Sequence, residues 1–314
     1  MERFAAFDVG TNTVLMAVAE RGSNGRLVPV LERAEITRLG EGVAATRSLS
    51  SPAIERAMAA ISRFADEARA AGASKLVAVA TSAAREATNG PELAAAVRAR
   101  AGIELEILSG EEEARLTFRA VQEDFGEGAA ELVAVDIGGG STEVILGPAR
   151  GAPTFRRSVE VGTVRLTERF VTGHPIREAE RRMIREHVRR AFSDLPAAAP
   201  SARAVAVAAT ATSLSAIASA LAGDPESRRE DVWAPLTRAA LEPLVEMLCG
   251  MSLEERWRLR GLDPRRADVI CAGGYILLEG LHRLGLEECL VSDRGVRWGL
   301  LWERFGPSLR TDRC

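Results

Sequence analysis

The fold of this chain is decided by residues 131–147, whose sequence is Glu-Leu-Val-Ala-Val-Asp-Ile-Gly-Gly-Gly-Ser-Thr-Glu-Val-Ile-Leu-Gly. Apolar residues at 132–135 predict a buried strand, and a second apolar, β-branched run resumes after three glycines. Glycines allow a tight turn and close approach of the backbone to a ligand, and successive N–H groups in such a turn form a concavity suited to phosphate. The stretch therefore predicts a strand, a phosphate-binding turn and a second strand, with Asp136 and Glu143 on either side of the turn.

A weaker version of the same pattern occurs near the N-terminus. Residues 4–19 again place an apolar run, an aspartate, a small polar turn and a second apolar run in succession. The segment Asp8-Val9-Gly10-Thr11-Asn12-Thr13 therefore parallels Asp136-Ile137-Gly138-Gly139-Gly140-Ser141. One such hairpin is ordinary turn chemistry. The matched pair instead predicts a duplicated pair of domains that binds a polyphosphate or a nucleotide.

Composition restricts the class of protein. The length of 314 residues predicts about two domains, and a hydrophobic content of 46% suffices for sizeable cores. No apolar run reaches the roughly 18 residues of a membrane-spanning helix, and the N-terminus begins directly in a predicted strand, so we expect a cytoplasmic protein without a membrane partner. The net charge of −3 argues against nucleic acid as a partner.

Charged and metal-binding residues narrow the class further. Lys75 is the only lysine, so positive charge is supplied by arginine, the better bidentate phosphate ligand. The cysteines at 249, 271, 289 and 314 show no Cys-x-x-Cys spacing, and with three histidines they do not predict a zinc site. A P-loop is excluded as well, because its Gly-x4-Gly-Lys-Ser/Thr sequence does not occur and the glycine turn leads into a strand.

Two segments of the first half carry further candidate site residues. A predicted strand over 75–80 is followed by Arg85, and ligands of α/β sheets bind at the carboxyl ends of strands. Arg85 is therefore a candidate phosphate clamp, with an ordinary surface arginine as the alternative. Ser109 and Glu112 have the spacing of a capping box for a helix that runs to residue 125. Of the three glutamates that begin this helix, at least two are explained by the helix dipole.

The best domain boundary lies in the glycine- and alanine-rich segment 126–130. We expect an N-terminal domain over 1–126 and a C-terminal domain over 127–314, and the C-terminal helix, over about 296–314, is free to pack back on the first domain. The small residues 271–274 interrupt a predicted helix, either as a helix packing point or as a close approach to ligand.

Five ordered motifs make nearly the whole chain resemble the Ppx/GppA family of exopolyphosphatases and guanosine pentaphosphate phosphohydrolases. They occupy residues 8–13, 80–85, 109–116, 136–143 and 292–295. The resemblance implies an α/β fold in which two RNase H-like domains, as in actin, sugar kinases and Hsp70, flank a central cleft. In length the chain resembles the short, two-domain members of the family.

The resemblance also implies roles for individual residues. Glu113, which directly precedes Ala-Arg-Leu, matches the catalytic glutamate. Asp136 and Glu143 match an acidic pair that helps to hold water and Mg²⁺, the metal being bound partly through water. Arg85 matches the phosphate-binding arginine. The remaining phosphate-binding residues are expected on the two turns, at Asp8, Gly10, Thr11, Asn12 and Thr13 and at Gly138, Gly139, Gly140 and Ser141.

Two positions depart from the family pattern. Ala209-Thr210 replaces a Gly-Thr pair, which bears on how closely that turn approaches a phosphate, and Trp298 stands where an acidic residue often occurs.

The expected activity is hydrolysis of the terminal phosphate of inorganic polyphosphate, with Glu113 as general base and Mg²⁺ as cofactor. Hydrolysis of guanosine pentaphosphate is an alternative, because both substrates end in the same phosphoanhydride. A catalytically silent, actin-like protein that binds phosphate or nucleotide is another alternative, and a sugar-type kinase is disfavoured by the Glu-Ala-Arg-Leu helix. The sequence does not determine the oligomeric state, and a homodimer is one possibility.

Overall fold

The computed structural model of the protein describes residues 2–223, 228–229 and 232–307. They divide into two compact units, of which unit 2 is Phe125–Asp293 and unit 1 comprises the residues up to Asp124 and those from Arg294 onward. The sequence placed this division two residues later, at 126/127. The C-terminal helix groups with unit 1, whereas residues 308–314 of the range expected for it, including Cys314, lie outside the described residues.

The helices and strands follow one another as in a duplicated α/β protein. The strands are β1 Arg3–Val9, β2 Thr13–Arg21, β3 Leu27–Ile36, β4 Ala73–Ala80, β5 Leu105–Ile107, β6 Glu131–Ile137, β7 Thr142–Pro148, β8 Phe155–Val159, β9 Arg203–Val207, β10 Arg228–Arg229, β11 Val232–Thr237 and β12 Glu288–Ser292. The helices are α1 Val43–Thr46, α2 Ser51–Ala70, α3 Ser82–Glu86, α4 Gly90–Ala101, α5 Gly110–Phe125, α6 Thr163–Phe170, α7 Glu178–Ala191, α8 Ala208–Leu221, α9 Arg238–Gly250, α10 Leu253–Trp257, α11 Ile270–Leu284 and α12 Val296–Phe305, with a 3-10 helix at Pro264–Arg266. Over the described ranges, none of the helices has the length and apolar character needed to cross a membrane.

The sheet of unit 1 has the strand order β3-β2-β1-β4-β5. Strands β1, β2 and β3 form antiparallel hairpins, whereas β4 pairs parallel with both β1 and β5. Parallel neighbours need a crossover connection, which α2 and α4 supply. Alternate residues of β1 enter different cores: Phe7 packs in the cluster that contains Phe64 of α2, and Phe4 in the cluster that contains Trp298 of α12. Both faces of this sheet are therefore covered.

Trp298, one of the two departures from the family pattern, is a core residue of unit 1. It is fully buried, and its indole Nε1 donates a hydrogen bond to Glu32 Oε1 at 2.6 Å. The guanidinium carbon of Arg294 lies 4.5 Å from the centre of its ring. The adjacent Gly299 has no room for a Cβ, which would overlap the Leu116 carbonyl of α5. Packing of α12 therefore explains this position.

The sheet of unit 2 has the order β10-β11-β12-β9-β6-β7-β8. Strands β6, β7 and β8 are antiparallel neighbours, β9 is parallel to β6, and β12 is parallel to β9. The part β8-β7-β6-β9-β12 thus repeats the strand order and directions of unit 1. This repeat is the strand order of the RNase H-like fold, and the predicted duplicated α/β class is confirmed.

Ala208, at the start of α8, has a left-handed backbone conformation with φ 74°. A residue with a Cβ is disfavoured there by roughly 1–2 kcal/mol. We expect Ala208→Gly to raise the free energy of unfolding by about 1 kcal/mol, measured by chemical denaturation. Ala209→Gly is the matched control, because Ala209 continues the helix and glycine in a helix destabilises by about 0.5–1 kcal/mol. If both substitutions changed the free energy of unfolding in the same direction, the backbone conformation of Ala208 would not be a source of strain.

Candidate active site

The turn between β1 and β2 is held from behind by segment 37–40. The carbonyls of Thr11 and Asn12 accept hydrogen bonds from backbone N–H groups of this segment at 2.8–3.0 Å, and Gly10 N donates to Thr13 O at 3.0 Å. In a trans peptide the C=O and N–H groups point in opposite directions. Anchored carbonyls therefore direct the following N–H groups to the other side of the turn. The N–H of Asn12, which follows the anchored Thr11 carbonyl, has no protein acceptor among the described residues, and neither does the N–H of Thr11.

The turn between β6 and β7 is built in the same way and is held more completely. Gly138 N donates to Ser141 O at 3.0 Å, as in the first turn. Behind it, Thr163 N donates to Gly138 O at 3.0 Å, and the N–H groups of the next two residues donate to Gly139 O at 2.9 and 3.2 Å. The Arg165 side chain completes the set, with Nε donating to Gly140 O at 2.8 Å. Residues at the start of α6 thus donate hydrogen bonds to three successive carbonyls of the turn.

Three successive N–H groups consequently point away from α6, those of Gly139, Gly140 and Ser141. Within residues 2–223, 228–229 and 232–307 they have no protein acceptor. Gly162 permits the close approach behind the turn, because a Cβ there would overlap the Gly139 carbonyl. Successive unpartnered N–H groups of this kind suit an anion.

The N-terminal parts of three helices meet close to one another in unit 2. A Cβ on Gly273 of α11 would overlap the Thr210 side chain of α8 and would lie 3.0 Å from Thr163 Cγ2 of α6. Gly274 has a similar role, because a Cβ there would lie 2.5 Å from Val245 Cγ2 of α9. The glycines in the predicted 271–274 interruption are therefore helix packing points. Helix N-termini carry partial positive charge, which favours an anion nearby.

Asp136 and Glu143 are direct cross-strand partners on β6 and β7. Residues opposite each other in an antiparallel pair have Cβ atoms about 4.5–5.5 Å apart on one face of the sheet. The two residues are only 7% and 1% exposed. Glu143 Oε1 accepts hydrogen bonds from Ser141 Oγ at 2.8 Å and from Ser158 Oγ at 2.6 Å, which fix the direction of the carboxylate.

This pair fits a hard cation that takes only part of its ligands from the protein. Mg²⁺ prefers carboxylate oxygens and keeps several waters. No group of three or more histidine, cysteine, aspartate or glutamate side chains that could hold a metal occurs in the described part of the chain. Asp136 and Glu143 therefore stay the predicted metal residues. At the position of Asp136 the first hairpin has Asp8, whose cross-strand partner is the apolar Leu15, so the acidic pair is particular to unit 2.

The structure separates the three glutamates at the start of α5. Glu111 and Glu112 are exposed, whereas Glu113 is only 7% exposed. Glu112 forms the predicted capping box, since Ser109 N donates to Glu112 Oε2 at 2.9 Å and Glu112 N donates to Ser109 Oγ at 3.2 Å. The bonds from the Ser109 backbone and hydroxyl hold the pKa of Glu112 below its usual value. Capping thus accounts for Glu112 and leaves Glu113 as the buried carboxylate.

Arg85 binds Glu113 directly within unit 1. It lies in α3, just beyond the carboxyl end of β4, and its Nη1 donates to Glu113 Oε2 and to Leu108 O, both at 2.9 Å. Its side chain is 26% exposed. Arg85 is therefore a half-buried partner of Glu113, and its contact with phosphate stays a prediction.

Sequence reasoning missed Ser158 and Arg165. Ser158 is opposite Glu143 on β8, and Arg165 is in the first turn of α6. A Gly-Thr-x-Arg sequence at the start of a helix was the available signal for Arg165, but nothing local indicates that this helix packs behind the glycine turn.

Comparison with known proteins identifies the class and then the family. The chain is 34% identical over 318 residues to exopolyphosphatase 2 of Mycobacterium tuberculosis, covering 96% of this chain and 98% of that protein. It is 31% identical to exopolyphosphatase 1 of Mycobacterium leprae, covering 96% and 89%. The solved Ppx/GppA family member of Aquifex aeolicus is 30% identical, with a TM-score of 0.79 and coverage of 96% and 97%.

These similarities, on a duplicated α/β fold, define a phosphoanhydride hydrolase. The sequence profile of the Ppx/GppA phosphatase family matches residues 17–306. The chain belongs to this family.

Proposed function

We propose that the protein is an exopolyphosphatase that hydrolyses the terminal phosphate of inorganic polyphosphate. The names of the two mycobacterial relatives support this substrate. The observation that carries the proposal is the combination, in unit 2, of two buried, directly paired carboxylates with three outward N–H groups at the adjoining glycine turn. Such a site can bind phosphate oxygens and a divalent cation together.

In the proposed reaction, water attacks the terminal phosphorus and Glu113 accepts the proton of that water. The bond from this phosphorus to the bridging oxygen breaks, and the shortened polyphosphate leaves with that oxygen. A positioned general base of this kind contributes about 10²–10⁴-fold to the rate. The hydrogen bond from Arg85 holds one oxygen of the Glu113 carboxylate in a defined direction, which orients the base.

In this proposal, the two turns and the acidic pair of Asp136 and Glu143 position the phosphate. The outward N–H groups of the two turns, those of Thr11, Asn12, Gly139, Gly140 and Ser141, would bind phosphate oxygens. The N–H groups of Gly10 and Gly138, which were also expected to do so, instead donate to Thr13 O and Ser141 O within the turns. Asp136 and Glu143 would hold Mg²⁺ partly through water. When bound, Mg²⁺ supplies charge neutralisation at the phosphate oxygens. Positioning and charge neutralisation carry most of phosphoryl transfer, because the protein has little covalent chemistry to perform.

Phosphate release by the purified protein from polyphosphate, guanosine pentaphosphate and ATP, assayed in parallel with Mg²⁺, tests the proposed function. We expect kcat/KM to be highest for polyphosphate. A higher value for guanosine pentaphosphate would assign the alternative activity, and no release from any of the three would indicate a silent phosphate-binding protein.

A cytoplasmic location and a homodimer stay predictions.

Replacement of Arg85 tests its link to Glu113 and phosphate. We expect Arg85→Ala to lower kcat/KM by about 10–100-fold, since it misplaces the base and removes a bidentate phosphate ligand. Arg85→Lys should restore activity only in part, because a lysine cannot reproduce the planar fork. Arg98→Ala is the control, an arginine of α4 whose partner is the exposed Glu104. Unchanged kinetics in both Arg85 variants would show that Arg85 neither binds phosphate nor orients Glu113 for catalysis.

A further inference from the structure

The third carbonyl of the glycine turn in unit 2 is held by a side chain. Backbone N–H groups of α6 hold the carbonyls of Gly138 and Gly139, whereas Arg165 Nε holds Gly140 O at 2.8 Å. In the described part of the chain no second group donates to that carbonyl. Because the Gly140 C=O and the Ser141 N–H belong to one planar peptide, this one bond sets the direction of the Ser141 N–H.

We propose that Arg165 is a positioning residue for phosphoryl transfer, which acts through the Gly140 carbonyl to aim the Ser141 N–H at the substrate phosphate. This inference rests on the proposed exopolyphosphatase function. Glycine has the greatest backbone freedom of any residue, so a glycine peptide without this bond can rotate. Ser141 also donates its hydroxyl to Glu143, and rotation of the peptide would therefore disturb the acidic pair as well.

The location of Arg165 supports a role beyond stability. A cation in the first turn of a helix opposes the helix dipole and is unfavourable for the helix itself. Arg165 is nonetheless the third residue of α6, and it is half-buried against the turn. Arg169, one turn later, is exposed and stacks on Phe170, with its guanidinium carbon 5.1 Å from the ring centre. The two arginines of this helix thus have different surroundings.

Two substitutions separate the hydrogen bond from the charge. Gln has its amide nitrogen at the same number of bonds from Cα as Nε of Arg, so Arg165→Gln keeps a donor and loses the charge. Met has a methyl group at that place, so Arg165→Met loses both. We expect Arg165→Met to lower kcat by about 10–100-fold on polyphosphate, the effect of one lost charge-assisted hydrogen bond. Arg165→Gln should stay within about threefold of the unmodified protein, because the donor is retained.

Affinity for inorganic tripolyphosphate, measured by calorimetry without divalent ion, gives a readout independent of turnover. Arg165→Met should weaken this binding by about 5–10-fold, the effect of a misdirected N–H donor, and Arg165→Gln should not. Arg169→Met is the control and should leave both measurements unchanged. If the unmodified protein binds tripolyphosphate but hydrolyses no polyphosphate, the proposed function is wrong. In that case the calorimetric comparison of the variants still tests the role of Arg165.

Two results would overturn the role of Arg165. Turnover and tripolyphosphate affinity of Arg165→Met equal to those of the unmodified protein would show that the Gly140 bond is dispensable. A loss in Arg165→Gln as large as in Arg165→Met would show that charge, rather than the directed hydrogen bond, matters.

Discussion

Glu113→Gln is expected to lower kcat on polyphosphate by about two to four orders of magnitude. Glutamine keeps the shape of the side chain, and its amide oxygen can still accept the hydrogen bond from Arg85 Nη1 that Glu113 accepts at 2.9 Å. It cannot take a proton from water. We therefore expect KM to change little, the pattern of an interaction needed mainly in the transition state. The measurement is steady-state phosphate release at saturating Mg²⁺.

Glu111→Gln and Glu112→Gln are matched controls in the same helical turn. Both side chains are exposed, and glutamine can replace glutamate in the Ser109 capping box. We expect each control to lower the free energy of unfolding by only about 0.3–1 kcal/mol and to leave kcat nearly unchanged. Near-normal turnover of Glu113→Gln, or an equal fall in all three variants, would show that Glu113 is not the base.

Chelation of divalent ions is expected to abolish phosphate release and to leave the fold nearly intact. The described residues offer the paired carboxylates of Asp136 and Glu143 but no cluster of three or more candidate metal ligands, so the metal is expected to depend largely on substrate and water. Phosphate release and circular dichroism, each with and without excess chelator, test this prediction. Full activity in chelator, or cooperative unfolding on metal removal, would rule it out.

Glu143→Gln tests whether the acidic pair of Asp136 and Glu143 binds the metal. Glutamine retains an oxygen that can accept from both Ser141 and Ser158, so the loss is mainly of negative charge. We expect the Mg²⁺ concentration at half-maximal rate to rise by about 10–100-fold. Ser158→Ala is the control, since it removes one hydrogen bond and keeps the charge, and its effect should be smaller. An unchanged Mg²⁺ requirement in Glu143→Gln would remove this residue from the metal site.

Local signals in the sequence were sufficient for the elements and for the repeat. The apolar runs on either side of the two turns predicted β1, β2, β6 and β7, because strand and turn preferences depend on residues a few positions apart. The capping box of Ser109 and Glu112 was readable for the same reason, since its partners are three residues apart. Recurrence of one local pattern in both halves then predicted the duplicated α/β class.

Partners far apart in the sequence could not be found in this way. Arg85 and Glu113 are separated by 28 residues, and their contact depends on how α3 and α5 follow neighbouring parallel strands. The same holds for Trp298, whose hydrogen bond to Glu32 spans 266 residues. Family resemblance named Glu113 and Arg85, but neither spacing nor composition predicted that the two side chains bind each other.

The sequence by itself determined where the chain turns and which residues flank each turn, because glycine content and apolar alternation act within one hairpin. Only the tertiary structure decided which groups at those turns are available. The β6–β7 register pairs Asp136 with Glu143, and packing of α6 behind the turn takes up the glycine carbonyls and leaves the N–H groups outward. Burial likewise distinguished Glu113 from two identical neighbours, because side-chain exposure depends on the elements packed around a helix and not on the helix alone.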